Sequence, residues 1–178
     1  MNVIFHTATA LCISILLTDT GSLSAGPDKR RILATAACVF AAGIISHGLL
    51  DYMPHHYPLN SKLDVILSLF VILMTTWCAK KLYRPILLIS FIGSILPDII
   101  DLSSAILNKH LGTNIPIASK LFPWHWPVYS GSIYRGDYTV SIVNHMLVVA
   151  FILIACWCRR KDAAGIFSNN VAENRSII

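Results

Sequence analysis

An all-α membrane protein, a polytopic bundle of about five transmembrane helices, is what this sequence predicts, and three observations carry the prediction. Hydrophobic residues make up 55% of the 178 positions and charged residues only 13%, against about 25% charged in an average chain. The apolar residues are gathered into separate runs, several of them long enough to cross a bilayer. The basic residues fall in short clusters between those runs, a pattern that sets topology and binds anionic lipid heads. The net charge of +5 therefore points to a membrane surface and not to nucleic acid. No P-loop, no G-x-S-x-G elbow and no H-E-x-x-H motif occurs, so the enzyme classes marked by those motifs are excluded.

Taken in order, the first span covers about residues 3–17. It has no Lys or Arg before it and no small-x-small cleavage site after it, so it is expected as a membrane helix, not a signal peptide. A polar turn, Asp19-Thr20-Gly21-Ser22 onward to Lys29-Arg30-Arg31, separates it from the second span, 31–52, which Pro54 stops. Ser61-Lys62-Leu63-Asp64 resembles a capping box and opens the third span, 64–79. Lys80-Lys81-Leu82-Tyr83-Arg84 turns the chain into the fourth, 85–107, which contains Pro97. The longest connection, 108–137, carries Phe122, Trp124, Trp126, Tyr129 and Tyr134, the residues of an interfacial aromatic belt. The fifth span is 138–158, closed by Arg159-Arg160-Lys161. Residues 1–162 are thus read as one transmembrane domain, and 163–178 as a mobile cytoplasmic tail. All five cysteines lie in the apolar runs without zinc-ribbon spacing and read as small hydrophobes.

With five spans, the first turn, the third turn and the C-terminal tail share one side. They hold ten of the fourteen Lys and Arg residues, which predicts a cytoplasmic C-terminus and an N-terminus outside. All seven histidines then lie on or near the outer side.

The chemistry centres on Ser46-His47-Gly48-Leu49-Leu50-Asp51-Tyr52-Met53-Pro54-His55-His56. His47 and Asp51 are four residues apart and share a helix face. An imidazole and a carboxylate in apolar surroundings cost several kcal/mol unless paired or bound. Counting from the expected cytoplasmic ends (Asp19 for the first span, basic residues for the others), His6, His47, Asp64, Asp98 and His145 all lie 13 to 16 residues along their spans, about 20–24 Å at 1.5 Å per residue. Each predicted helix brings one His or Asp to a similar level. Histidine and carboxylate together form the ligand set of zinc or another divalent metal at a hydrolytic site, and an outer carboxylate can serve as general base.

Phe5-His6, the Ser46–Asp51 segment with Pro54-His55, and Leu96-Pro97-Asp98 together resemble small bacterial inner-membrane proteins related to the membrane-bound metal-dependent hydrolases. That family carries an SHLLLD-type helix end and an LPD-type motif. The resemblance implies an inner-membrane location, with His6, His47, Asp51 and Asp98 as metal-site residues and His55, Asp101 and His145 as further candidates. The second aspartate of the LPD motif stands three residues on, at Asp101. The family's HRGxTHS-type segment is replaced by Phe122-Pro123-Trp124-His125-Trp126.

The reading is a metal site on the outer side of the bundle that hydrolyses a lipid or a phosphate ester. His47 and Asp51 are the first ligands, Asp98 and His6 complete the shell, and Asp101 is the general base. Lys120 and Arg135 are candidates to hold an anionic head group. Two rivals stand beside it. One is a non-enzymatic membrane protein whose polar layer only pins helix packing. The other is a small ion or proton carrier, which should need titratable groups continuing to the cytoplasmic side.

Overall fold

The shortest apolar helix lies at the centre of the bundle, and the longer ones surround it. The computed structural model describes residues 1–26 and 28–168. Its elements are α1 (Val3–Leu17), α2 (Thr20–Ala25), α3 (Lys29–Tyr52), α4 (Ser61–Cys78), α5 (Arg84–Leu111), a 3-10 turn (Pro123–His125), α6 (Thr139–Cys158) and α7 (Arg160–Phe167). No β-strand occurs among the described residues, so the all-α expectation holds. Four helices, α3, α4, α5 and α6, are long and apolar enough to cross a membrane. The first apolar run forms a helix of 15 residues, about 22 Å long, short of a hydrocarbon core about 30 Å thick.

α1 packs against α3, α4, α5 and α6, and small and hydroxylic residues let it do so. Thr7, Ala10, Cys12 and Ser14 are all buried. From α5, Ser90 Oγ donates to the Ala10 carbonyl and Ser94 Oγ to the His6 carbonyl, both at 2.9 Å. α3 and α5 form the most extensive pair. A Cβ on Gly43 would stand 2.9 Å from the Ser94 nitrogen, and one on Gly93 would run into the Phe40 carbonyl. Glycine at both positions is what lets the two backbones touch.

The two ends of the bundle differ in chemistry. Toward the basic end the interior is aliphatic and aromatic, with Ile15, Leu23, Tyr83, Ile86, Leu87 and Phe91 buried together. There α7 lies across α2. Asp162 accepts from the Thr20 amide and hydroxyl at 3.1 and 2.9 Å, and the Lys80 amide donates to the Ile166 carbonyl at 2.9 Å. The tail boundary expected at 162 therefore falls inside an ordered helix, because Ile166 is drawn into the core. The rest of that tail, 169–178, lies outside the described residues. Around the outside, Phe70, Leu73 and Trp77 on α4 and Leu147, Phe151 and Leu153 on α6 are exposed. Apolar cover on this scale suits hydrocarbon and not water.

Buried aspartates tie the opposite end together by capping elements other than their own. Asn60, not Asp64, caps α4, accepting from the Leu63 amide at 2.9 Å. Asp64 instead reaches α1, where its carboxylate accepts from the Val3 and Ile4 amides at 2.8 and 3.0 Å and from Asn2 Nδ2 at 3.0 Å. These are the orphan donors of a helix start, satisfied from a neighbouring helix.

Candidate metal centre

α3 ends, α5 carries its internal Pro97 and the long loop folds back at one place, and their side chains meet there. His47 and Asp51 come from α3, Asp98 from α5, and His125 from the 3-10 turn, and one donor atom of each lies within 4.8 Å of all the others. His47 Nε2 is 3.3 Å from His125 Nε2, 3.3 Å from Asp51 Oδ2 and 3.5 Å from Asp98 Oδ1. His125 Nε2 is 3.4 Å from Asp51 Oδ2 and 3.2 Å from Asp98 Oδ1. Ligands about 2.0–2.1 Å from a tetrahedral ion stand about 3.3–3.4 Å apart. Five edges of this four-atom set lie within about 0.1 Å of that length, at 3.2 to 3.5 Å.

The outer nitrogen of each ring is already engaged. His47 Nδ1 lies 2.6 Å from the Ser94 carbonyl, so it must carry the proton there. That carbonyl lies in the turn before Pro97, next to the Gly93 carbonyl that the missing proline N–H leaves without a helical donor. His125 Nδ1 lies 2.8 Å from Asp101 Oδ2. With Nδ1 so engaged, each ring in its neutral form would present the Nε2 lone pair to the centre, the tautomer a metal ligand needs, held by a carbonyl in one case and a carboxylate in the other.

The carboxylates of the centre need positive charge beside them, and the Met1 amino group on Asp51 Oδ1 supplies part of it. Asp51, Asp98 and Asp101 converge on two imidazoles in a largely buried setting, and carboxylates so placed are costly unless neutralised. Burial disfavours the imidazolium of His125, but the hydrogen bonds it donates to Asp51, Asp98 and Asp101 outweigh that and push the ring up to about 10. In the metal-free chain a proton on His125 Nε2 thus occupies ground that an ion would take.

Three features place His125. Asp101 accepts from the Leu121 and Phe122 amides at 2.8 and 2.9 Å and so anchors the start of the turn. Lys120 Nζ donates to the His125 carbonyl at 2.7 Å. Gly48 leaves room for the Trp124 ring, which a Cβ there would meet at 2.7 Å. Further along the loop, the Gly131 amide donates to the Asp51 carbonyl and the His55 amide to the Gly131 carbonyl, both at 2.8 Å.

No family model, no curated protein and no solved structure matches this chain. The site therefore stands on its own geometry.

Of the residues expected at the centre, His47, Asp51 and Asp98 are brought together. His6 stands beside them, its ring stacked on His47 with centroids 4.0 Å apart. Its Nε2 is 3.3 Å from Asp51 Oδ1, the carboxylate oxygen facing away from the four-atom set, yet neither ring nitrogen makes a hydrogen bond. Asp101 stands behind His125 with both oxygens engaged, which is the position of an orienting group and not of a free base. His55 sits in a neighbouring polar cluster. Its Nδ1 donates to the Met53 carbonyl at 2.8 Å, and its Nε2 lies 2.7 Å from the Met1 amino group and 3.2 Å from Tyr57 Oη. Burial, then the adjacent amino group, pushes the His55 ring down to about 4, which keeps it neutral. The Met1 amino group also reaches Asp51 Oδ1 at 2.5 Å. His145 lies apart on α6, bonded to the Ser141 carbonyl at 2.7 Å and packed against Phe5 and His56. Arg135 is exposed in the loop, whereas Lys120 lines the cavity beside the centre.

That cavity, about 270 Å³, has Asp51, Asp98, His125, Tyr57, Ser132 and Tyr134 among its lining residues. It gives a small molecule room next to the four donors. His125 is the functional residue that sequence reasoning did not select. The available signal was its position in Phe122-Pro123-Trp124-His125-Trp126, a proline-started turn with aromatic flanks.

Proposed function

We propose that this protein is a divalent-metal hydrolase of the bacterial inner membrane, with five transmembrane helices, its site facing outward and its C-terminus cytoplasmic. The carrying observation is the four-atom set of His47 Nε2, Asp51 Oδ2, Asp98 Oδ1 and His125 Nε2, with five edges between 3.2 and 3.5 Å. Two nitrogens and two carboxylate oxygens at tetrahedral spacing suit zinc. An ion held there supplies Lewis acidity toward a carbonyl or phosphoryl oxygen. The resemblance to membrane-bound metal-dependent hydrolases and the basic clusters at one end of the bundle support the same reading.

The substrate is a lipid or a phosphate ester bound in the adjoining cavity. Asp98 has the more exposed carboxylate of the two ligands, 22% against 10% for Asp51, and lines that cavity. Its Oδ2, outside the four-atom set, takes a proton from the attacking water. The water oxygen bonds to the acyl carbon or phosphorus, the ester C–O or P–O bond breaks, and the proton passes from Asp98 to the departing alkoxide. Lys120 and the Tyr57 hydroxyl hold the polar part of the substrate. Asp101 acts through His125 as a positioning residue.

The test is metal content by mass spectrometry on detergent-purified protein, wild type beside His47→Ala, Asp98→Ala and His125→Ala. About one equivalent of zinc in the wild type, lost in all three variants with helical content unchanged, is the expected result. Folded wild type that stays empty after zinc, manganese and other divalent ions are supplied would refute the hydrolase and leave the polar layer as packing.

A further inference from the structure

Beside that cavity a second, apolar one opens between α4 and α5, and Asp98 of the metal centre stands in the wall of both. The second has a volume of about 260 Å³, is walled by Val65, Ser68, Leu69, Ile72, Ile95 and Ile99, and reaches Asp98 and Val3. Val3, Val65 and Asp98 line both spaces. The two cavities are neighbours with Asp98 in the wall of both: hydroxyls, Lys120 and the donors Asp51, Asp98 and His125 line the first, and mostly aliphatic side chains line the second, the α4–α5 slot. Val65, Leu69 and Ile99 at its rim are exposed, and α4 packs far less extensively on α5 than α3 does, so the slot opens sideways onto the apolar surface. From Asp64 at the outer end of α4 down to Ile72 is about 12 Å at 1.5 Å per residue. That depth falls within the hydrocarbon half-layer of about 15 Å.

We propose that the α4–α5 slot takes one acyl chain of a glycerophospholipid entering laterally from the bilayer, with its phosphate and ester region in the polar cavity at Asp98 and Lys120. This rests on the hydrolase reading and names its substrate class. The two cavities match an amphiphile segment by segment. A water-soluble phosphoester would have no use for the second, and a free fatty chain no use for the first. The boundary at Asp98 sets the bond that is presented, namely one at the junction of chain and head group and not one within the head group.

The experiment uses full-length protein in vesicles of phosphatidylethanolamine and phosphatidylglycerol, doped with a phosphatidylglycerol that carries a diazirine in one acyl chain. After illumination, cross-linked residues are mapped by mass spectrometry, and metal content is measured on the same preparations. Cross-links enriched at least threefold at 65–72 and 95–99, relative to equally exposed residues of α6 such as Phe151 and Leu153, are expected. Ile99→Trp at the rim and Ser68→Phe at the floor should each abolish the enrichment while metal content stays at the wild-type level. Cross-links spread evenly around the bundle, or an enrichment that survives both substitutions, would overturn the proposal. Enrichment in protein that takes up no metal would support the slot and refute the hydrolase, so the two failures are distinguishable.

Discussion

Asp101 shows how much of this site is carried by a residue that does not face its centre. Its two oxygens hold the Leu121 and Phe122 amides and His125 Nδ1, so one carboxylate sets both the path of the loop and the tautomer of the ligand. Outer carboxylates of this kind tune metal affinity by about 10- to 100-fold. Asp101→Asn should weaken zinc binding by about that factor while leaving helical content intact, read by competition with a chromophoric chelator. Undiminished affinity would show that His125 is not oriented through Asp101. The same residue marks a limit of sequence reading. Spacing puts Asp101 one helical turn from Asp98, and a general-base role is a natural expectation, but the chain segment that claims its oxygens begins twenty residues later.

At the scale of elements, α1 is held by contacts that other helices supply. Asp64 satisfies the Val3 and Ile4 amides and the Asn2 side chain from a different helix, while Ser90 and Ser94 bind α1 carbonyls along its length. A helix of 15 residues placed centrally needs such ties, because its own caps are weak. Its N-cap Asn2 makes no side-chain capping bond. Asp64→Ala should lower the stability of detergent-solubilised protein by about 1–3 kcal/mol, the cost of leaving buried donors unsatisfied, seen as a reduced melting temperature. Asp64→Asn, which keeps acceptor oxygen, should recover part of the loss. A melting temperature unchanged by Asp64→Ala would mean that α1 is held by packing alone. The capping role of Asp64 was legible as chemistry but not as address. Its place near the start of α4 suggests a local cap, yet Asn60 takes that task and frees Asp64 for α1.

For the whole molecule, the distribution of charge and the position of the site lead to one topological expectation. A green fluorescent protein fused after Phe167 should fluoresce, and alkaline phosphatase inserted at Gly112 in the long loop should be active. The opposite pattern would place the metal centre on the cytoplasmic side. Matching signals from both reporters would contradict passage of α6 between them.

The sequence by itself determined the class of the molecule: apolar runs, basic turns and proline stops report helix positions because backbone groups in hydrocarbon must be satisfied within each segment. It also set an expected height for each polar residue, since counting along a helix measures its rise. Which way each helix turns those residues was decided only by tertiary structure. His145 stands at the same expected height as His47, but α6 packs on α1 and presents it to Phe5 and His56, away from the four donors. The fourth donor, His125, lies in a loop with no period to count. It reaches the centre only because Asp101, Lys120 and the space left by Gly48 fold the chain back over α3.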